Sequence, residues 1–220
     1  MKKRQVIIFS GLDCSGKSTQ IDFLKKEFSN KNQKSFVFWS RGGYTPGFEK
    51  LKNIIRFIIG GKIPKPGKSE KRDKAFSNKY IRKLWITVAM LDLILFYSFY
   101  LRLKNYLNYN IICDRFIMDT YIDFKLAFPT ENTDSWLLWK LLKFTSIKPN
   151  LHFVSTIPVE ESVIRSKTKF EPFPDPPETL EKRLDFYKKF LKIDKKLIHI
   201  DGMTDINKIT KGINEKVGIL

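Results

Sequence analysis

The sequence predicts an α/β domain built on a five-stranded parallel sheet with helices on both faces. Three observations carry this. Short apolar runs recur at Val6–Phe9, Phe36–Trp39, Ile111–Cys113, Leu151–Val154 and Leu197–Ile200, and the segments between them are helical in pattern and long enough to cross over a sheet. The runs are continuous rather than alternating, as in strands covered on two sides. A glycine-rich loop, Gly11–Thr19 (GLDCSGKST), follows the first run directly and leads into a helical pattern. Residues that do chemistry are then expected at the carboxyl ends of the strands.

At 220 residues and 42% hydrophobic content the chain suits one domain, 1–220, with a full core. No secretory leader is expected, because the apolar run after MKKR is only Val6–Phe9. Cys14 and Cys113 do not make a disulfide framework, so a reducing cytoplasm is expected. A formal net charge of +18 raises nucleic-acid and membrane-surface binding as classes. The lysines, however, spread over nearly every expected helix and no nucleic-acid signature accompanies them. A phosphate-binding enzyme with a lysine-rich surface is expected instead, with no nucleic acid as its main substrate and no membrane.

After the first strand, Gly11, Gly16, Lys17 and Ser18 satisfy Gly-x-x-x-x-Gly-Lys-Ser, and Ile21, Leu24 and Phe28 place Lys17–Asn30 on a helix. Glycines let backbone N–H groups wrap a polyphosphate at a helix N-terminus. Gly11, Cys14, Ser15, Gly16, Lys17, Ser18 and Thr19 are therefore expected to hold the phosphates of ATP. Lys17 would reach the β- and γ-phosphates, and the Ser18 hydroxyl would sit on Mg²⁺. A second Gly-Lys-Ser, Gly67–Ser69, has Lys62 where the first glycine is required and no strand before it, and is read as a decoy.

Arg41 closes the second strand, where it can fork onto a phosphate, or be a surface arginine beside a turn. A basic loop is expected near 59–72. Leu84–Leu103 has the length of a membrane span, but Asp92 lies at its middle and Arg102 near its end, so it is expected to be the buried crossover helix between the second and third strands. Its apolar residues fall on nearly every face, which predicts a helix-packed homodimer.

The third strand ends in Asp114-Arg115, beside the phosphate loop if that strand adjoins the first. A carboxylate there can hold Mg²⁺ and an arginine can neutralise a phosphoryl group; a structural ion pair is the plainer alternative. Asp119, Thr120 and Asp123 follow at helical spacing and are expected to line the same cleft. Trp136 and Trp139 are expected to pack in the core, and His152 and His199 to be core or edge residues of strands. Pro158–Lys169 is helical in pattern, and Arg165, Lys167 and Lys169 run into Phe170–Glu178, where four prolines are expected to exclude helix. That predicts a cationic lid near 165–178, or else a solvated helix end. Leu180–Leu191 is expected to be helical, and the Asp201-Gly202-Met203 turn is expected to contact a nucleobase through its backbone.

With the glycine loop, Arg41, the Asp114-Arg115-Phe116 triplet, the Arg165 segment and the final DGMT turn in this order, the chain resembles the thymidylate kinase family over most of its length. Gly-x-Asp ahead of Gly-Lys-Ser-Thr, with the aspartate at Asp13, is the most specific part. The resemblance implies a three-layer P-loop NTPase fold, commonly homodimeric, transferring the γ-phosphate of MgATP to a nucleoside monophosphate such as dTMP. It implies that Asp13 lies at the acceptor sugar and that Arg41 and Arg115 meet the acceptor phosphate. Asp114 would organise Mg²⁺, and Arg165 would close on the γ-phosphate. Some relatives carry an arginine at the position of Cys14, so the catalytic cation is expected here in the lid. Relatives that read thymine use an arginine about 21 residues before the Asp-Arg pair and a Tyr-Gln pair roughly ten after it. Those places hold Asp92 or Leu93, and Asp123-Phe124. A same-fold phosphotransferase acting on another nucleotide or a small phosphorylated acceptor is the first alternative, and an ATP-dependent binding or switch protein the second.

Overall fold

The computed structural model describes residues 4–40, 76–169 and 174–219. Arg41, the basic loop 59–72, the decoy at 67–69 and residues 170–173 of the expected lid lie outside the described residues.

Five parallel strands form one sheet in the order β2-β3-β1-β4-β5. They are β1 (Val6–Gly11), β2 (Ser35–Trp39), β3 (Asn110–Asp114), β4 (Leu151–Thr156) and β5 (Leu197–Asp201). Each expected apolar run is a strand. β1, β3, β4 and β5 extend past their runs at the carboxyl end, into Ser10-Gly11, Asp114, Ser155-Thr156 and Asp201, because ladder hydrogen bonding needs no apolar side chain there. β1 is central and buried along its whole length. Its alternation feeds two cores. Val6 and Ile8 face one, Ile7 and Phe9 the other. The result is a three-layer α/β fold of the P-loop type, with the strand order reversing at β1, the place where open α/β sheets bind ligands.

On one face pack α1 (Lys17–Asn30) and α7 (Ile206–Val217), through Ile21, Leu24, Phe28, Ile213 and Val217. The other face carries α2 (Lys79–Tyr106), α3 (Ile117–Ala127), α4 (Leu137–Thr145) and α6 (Pro177–Ile193). Trp139 is buried there in an aromatic core with Trp85, Phe116 and Phe124, as expected, while Trp136, the cap residue ahead of α4, packs against the same core only partly buried. A further helix, α5 (Val159–Thr168), runs from β4 towards residue 170.

α2 is longer than the sequence suggests. The Asn78 side chain caps its start, accepting from the N–H groups of Tyr80 and Ile81, and a π turn at Leu95–Tyr100 joins its two α-helical parts. Among the described residues it is the helix long and apolar enough to cross a membrane, yet half of its most apolar stretch is buried inside the domain, with Ile86, Ala89, Met90 and Leu93 against the sheet. It is a core helix, as expected. Leu84, Leu91, Leu95, Phe99 and Leu103 remain exposed on it at four- and seven-residue spacing.

One expectation needs correction. The prolines do not exclude helix throughout 170–178: α6 begins at Pro177, with Pro176 as its cap residue. The first helical position has no intrahelical use for an N–H, and the fixed φ of proline suits it.

Candidate active site

The loop after β1 is shaped by three left-handed residues. Gly11, Cys14 and Gly16 have φ of 135°, 59° and 89°. Gly11 is required: a Cβ there would stand 2.0 Å from the Ser155 carbonyl oxygen. Two hydroxyls brace the loop from neighbouring elements. Ser155 on β4 donates to the Ser15 carbonyl (2.7 Å) and Ser162 on α5 donates to the Asp13 carbonyl (2.8 Å). α1 then starts at Lys17 with no side-chain cap and no acidic residue in its first turn, which leaves its N-terminal dipole available to an anion.

Lys17 folds back into this loop. Its Nζ donates to the carbonyls of Gly11 (3.0 Å) and Leu12 (2.6 Å), and the residue is only 7% exposed. Burial, helped by the nearby Arg115 charge and opposed by Asp13 and Asp114, lowers its pKa from the usual 10.5 to about 8. The positive charge is thus weakly held at neutral pH and gains from an incoming phosphate.

β3 lies beside β1 with Asp114 opposite Phe9, so the Asp114-Arg115 pair does reach the loop. Lys17, Ser18, Asp13, Asp114, Arg115 and Lys169 line one pocket of about 200 Å³. Asp114 Oδ1, Arg115 Nη1 and Ser15 Oγ are buried there without a hydrogen-bond partner among the described residues, and burial raises the Asp114 pKa against the pull of Lys17 and Arg115. Arg115 is 4% exposed, adopts φ of 74°, donates its backbone N–H to Phe9 O (2.8 Å) and pairs through Nη2 with Asp13 Oδ1. Burial works against its charge, but Asp13, Asp119 and Asp123 outweigh it and hold the guanidinium protonated.

A hard cation fits these donors. Ser18 offers an exposed hydroxyl, and the Asp114 carboxylate has an oxygen with no hydrogen-bond partner in the same pocket. Among the described residues no group of three or more His, Cys, Asp or Glu could hold a metal by itself. A magnesium ion needs no such cage, since it keeps waters and shares the oxygens of a phosphate ligand.

A second pocket, of about 300 Å³, lies on the α7 side, lined by Thr19, Gln20, Arg165, Gly202 and Thr204 among others. The Asp201–Met203 turn therefore borders a cavity next to the phosphate loop. Gly202 packs so closely that a Cβ would meet Ser15 O at 2.7 Å. Arg165 is committed to this region: Nε donates to Glu161 (2.6 Å), and Nη1 to the carbonyls of Cys14 (3.4 Å) and Gly202 (3.3 Å). Lys169, one turn further along α5, borders both pockets.

Asp119 and Asp123 lie deeper than the sequence suggests. Asp119 is 1% exposed; its carboxylate accepts from Ser10 Oγ (2.5 Å), the Phe116 N–H (2.9 Å) and Tyr187 Oη (2.7 Å), and stands 3.9 Å from Arg115 Nη1. Thr120 is buried as well, donating to Phe116 O. Asp123 pairs with Arg183 Nη1 (2.6 Å), whose Nη2 reaches Asp175 (3.2 Å). His152 is largely buried and meets Ser10 Oγ at 2.8 Å, while His199 is exposed beside Thr156. Burial, opposed by Asp119, lowers the His152 pKa to about 4.

Sequence reasoning missed Ser10, Tyr187 and Arg183 as parts of the site. A serine ending an otherwise apolar strand was a signal for the first. Tyr187 and Arg183 carry none, because only the packing of α6 on α3 brings them near Arg115. No family model matches this chain, and no curated protein matches it.

Proposed function

We propose that the protein is a cytoplasmic nucleoside monophosphate kinase that transfers the γ-phosphate of MgATP to a nucleoside monophosphate, with dTMP the first acceptor to test. One observation carries the reading: Lys17 within an uncapped phosphate loop, with Asp114 and Arg115 at the carboxyl end of the adjacent strand, in one pocket. Lys17 and the α1 N-terminus bind the phosphates of ATP, and the cavity bordered by Gly202 and Thr204 takes its base. Arg115, with Arg41, meets the acceptor phosphate, and Asp13 the acceptor sugar. Ser18 and Asp114 hold Mg²⁺, which neutralises phosphate charge when bound. Catalysis is then positioning plus electrostatic stabilisation of the transferring group. Arg165 supports the loop and turn and, with Lys169, supplies cationic charge at the lid.

The reading is tested by ADP release from MgATP with no acceptor and with dTMP, dUMP, UMP, CMP, AMP and GMP separately. Stimulation by one monophosphate above the rest identifies the acceptor. ATP hydrolysis indifferent to every acceptor returns the protein to the binding or switch class. A different acceptor within the same chemistry is favoured by one feature, the engagement of Asp123 with Arg183 at a place where thymine-reading relatives use uncharged side chains.

The exposed apolar stripe on α2 supports a homodimer packed through that helix. Phe99 is 67% exposed on it. Phe99→Glu is expected to convert a dimer to a monomer in light scattering at micromolar concentration, and a wild-type protein already monomeric there would remove the dimer.

A further inference from the structure

We infer that Asp119 is a positioning residue for Arg115, acting from a buried polar hub that ties β1, α3 and α6 together directly beneath the phosphate cleft. The inference rests on the proposed role of Arg115 at the acceptor phosphate, and it changes the role of Asp119 from a group that touches substrate to one that aims a group that does.

Arg115 needs positioning. Its φ of 74° is a conformation that L-residues with side chains seldom adopt and that persists only where the surroundings over-determine it. Its visible partner, Asp13, belongs to the phosphate loop and lines the cleft itself, so it is open to contact by whatever the cleft binds. Asp119 belongs instead to the framework. Oδ2 accepts from Ser10 at the end of the central strand and from the Phe116 N–H at the start of α3, and Oδ1 accepts from Tyr187 on α6. The remaining capacity of Oδ1 faces Arg115 Nη1 at 3.9 Å, a charge contact rather than a hydrogen bond.

Proton bookkeeping closes the hub. An ionised carboxylate only accepts, so the single hydroxyl proton of Ser10 goes to Asp119. The 2.8 Å contact between Ser10 Oγ and His152 Nε2 is then made by an N–H on His152 donating to the serine oxygen. The imidazole is thereby fixed as the Nε2–H tautomer, and the hub carries one negative charge with three donors around it. For stability alone, a buried charge is a poor choice beside apolar packing. The choice makes sense where a fixed negative charge must hold a cation in one place.

The test compares Asp119→Asn and Tyr187→Phe in the full chain, each checked for folding by circular dichroism. Asp119→Asn is expected to raise the acceptor KM on the order of 10–100-fold, as large as the loss when the hydrogen-bond partner of a metal ligand is removed, and Tyr187→Phe roughly tenfold. The KM for ATP should change by much less, because the hydrogen bonds that seat Lys17 are made to the Gly11 and Leu12 carbonyls within the loop itself. A readout independent of turnover is the Nε–H resonance of Arg115 in arginine-labelled protein, assigned with Arg115→Lys. It is expected to exchange slowly with water in the wild type and to shift and exchange faster in Asp119→Asn and Tyr187→Phe. An unchanged Arg115 resonance in a folded Tyr187→Phe protein overturns the inference, as does an equal rise of both KM values. If no monophosphate is an acceptor, the kinase reading fails while the resonance still decides the positioning role. If Asp119→Asn does not fold, Tyr187→Phe decides it.

Discussion

Asp114 closes β3 and Asp119 lies in the first turn of α3, and the two carboxylates meet opposite conditions. On the cleft rim, Asp114 Oδ1, Arg115 Nη1 and Ser15 Oγ are buried without hydrogen-bond partners among the described residues, and Cys14 and Arg115 hold left-handed backbone angles. Just below, Asp119 takes hydrogen bonds from a strand hydroxyl, a backbone N–H and a tyrosine. Both layers are built from similar residue types in similarly dry surroundings. The difference points to where chemistry can happen: three of the buried polar atoms left without partners gather at one cleft, where a ligand can supply what the protein does not, although Asp123 Oδ2 and Arg183 Nε in the deeper layer are also unpartnered among the described residues. The rim is built for something that carries charge, and the layer beneath holds the rim's arginine still.

Lys17→Ala should break the rim most severely. Acceptor-dependent ADP release is expected to fall by about 10³-fold or more, with the far-ultraviolet circular dichroism unchanged. Near-normal turnover in that variant would remove the phosphate loop from the mechanism. Asp114→Asn sharpens the contrast between the two carboxylates. Transfer should drop on the order of 10²-fold, while thermal stability holds or rises, because a buried carboxyl with an unpartnered oxygen loses its charge. If stability fell sharply instead, Asp114 would belong with Asp119 as a framework residue. Gly11→Ala attacks the loop's shape rather than its charges. The clash with Ser155 O is backbone against backbone and is expected to destabilise the fold by about 3 kcal/mol, read as a lowered midpoint in thermal unfolding.

The smallest effect is a pH dependence. Lys17 titrates at about 8 in the folded chain against an ordinary 10.5. As pH rises through 8 the ammonium loses its proton, so ATP affinity should weaken by up to about tenfold per pH unit, measured by calorimetry. The sign for stability is the reverse. Between about 8 and 10.5 the unfolded chain binds more protons at this lysine, so its contribution to folding stability rises with pH. Lys17→Met should flatten both trends. An ATP affinity that stays level from pH 7 to 9.5 in the wild type would mean that Lys17 keeps its charge there.

Much of the fold was legible because its signals are local. Continuous apolar runs mark strands covered on both sides, and all five strands of the sheet lie where those runs are. The phosphate loop was legible because the glycines that shape its backbone and the lysine that folds onto it lie within nine residues of one another. The ends of elements were less so: α6 starts at Pro177, inside a proline run that reads as helix-free.

What the sequence by itself determined is the α/β class, the number of strands, the buried central helix and the phosphate loop, since each follows from periodicity, from composition or from residues adjacent in the chain. Only the tertiary structure decided that β3 inserts beside β1 and carries Asp114 to the loop, that Arg165 braces the loop and turn, and that Ser10, Asp119 and Tyr187 form one hub under Arg115. Those pairings join residues as far as 151 positions apart. They depend on strand order and helix docking, which are settled by which faces can be buried together rather than by any pattern written along the chain.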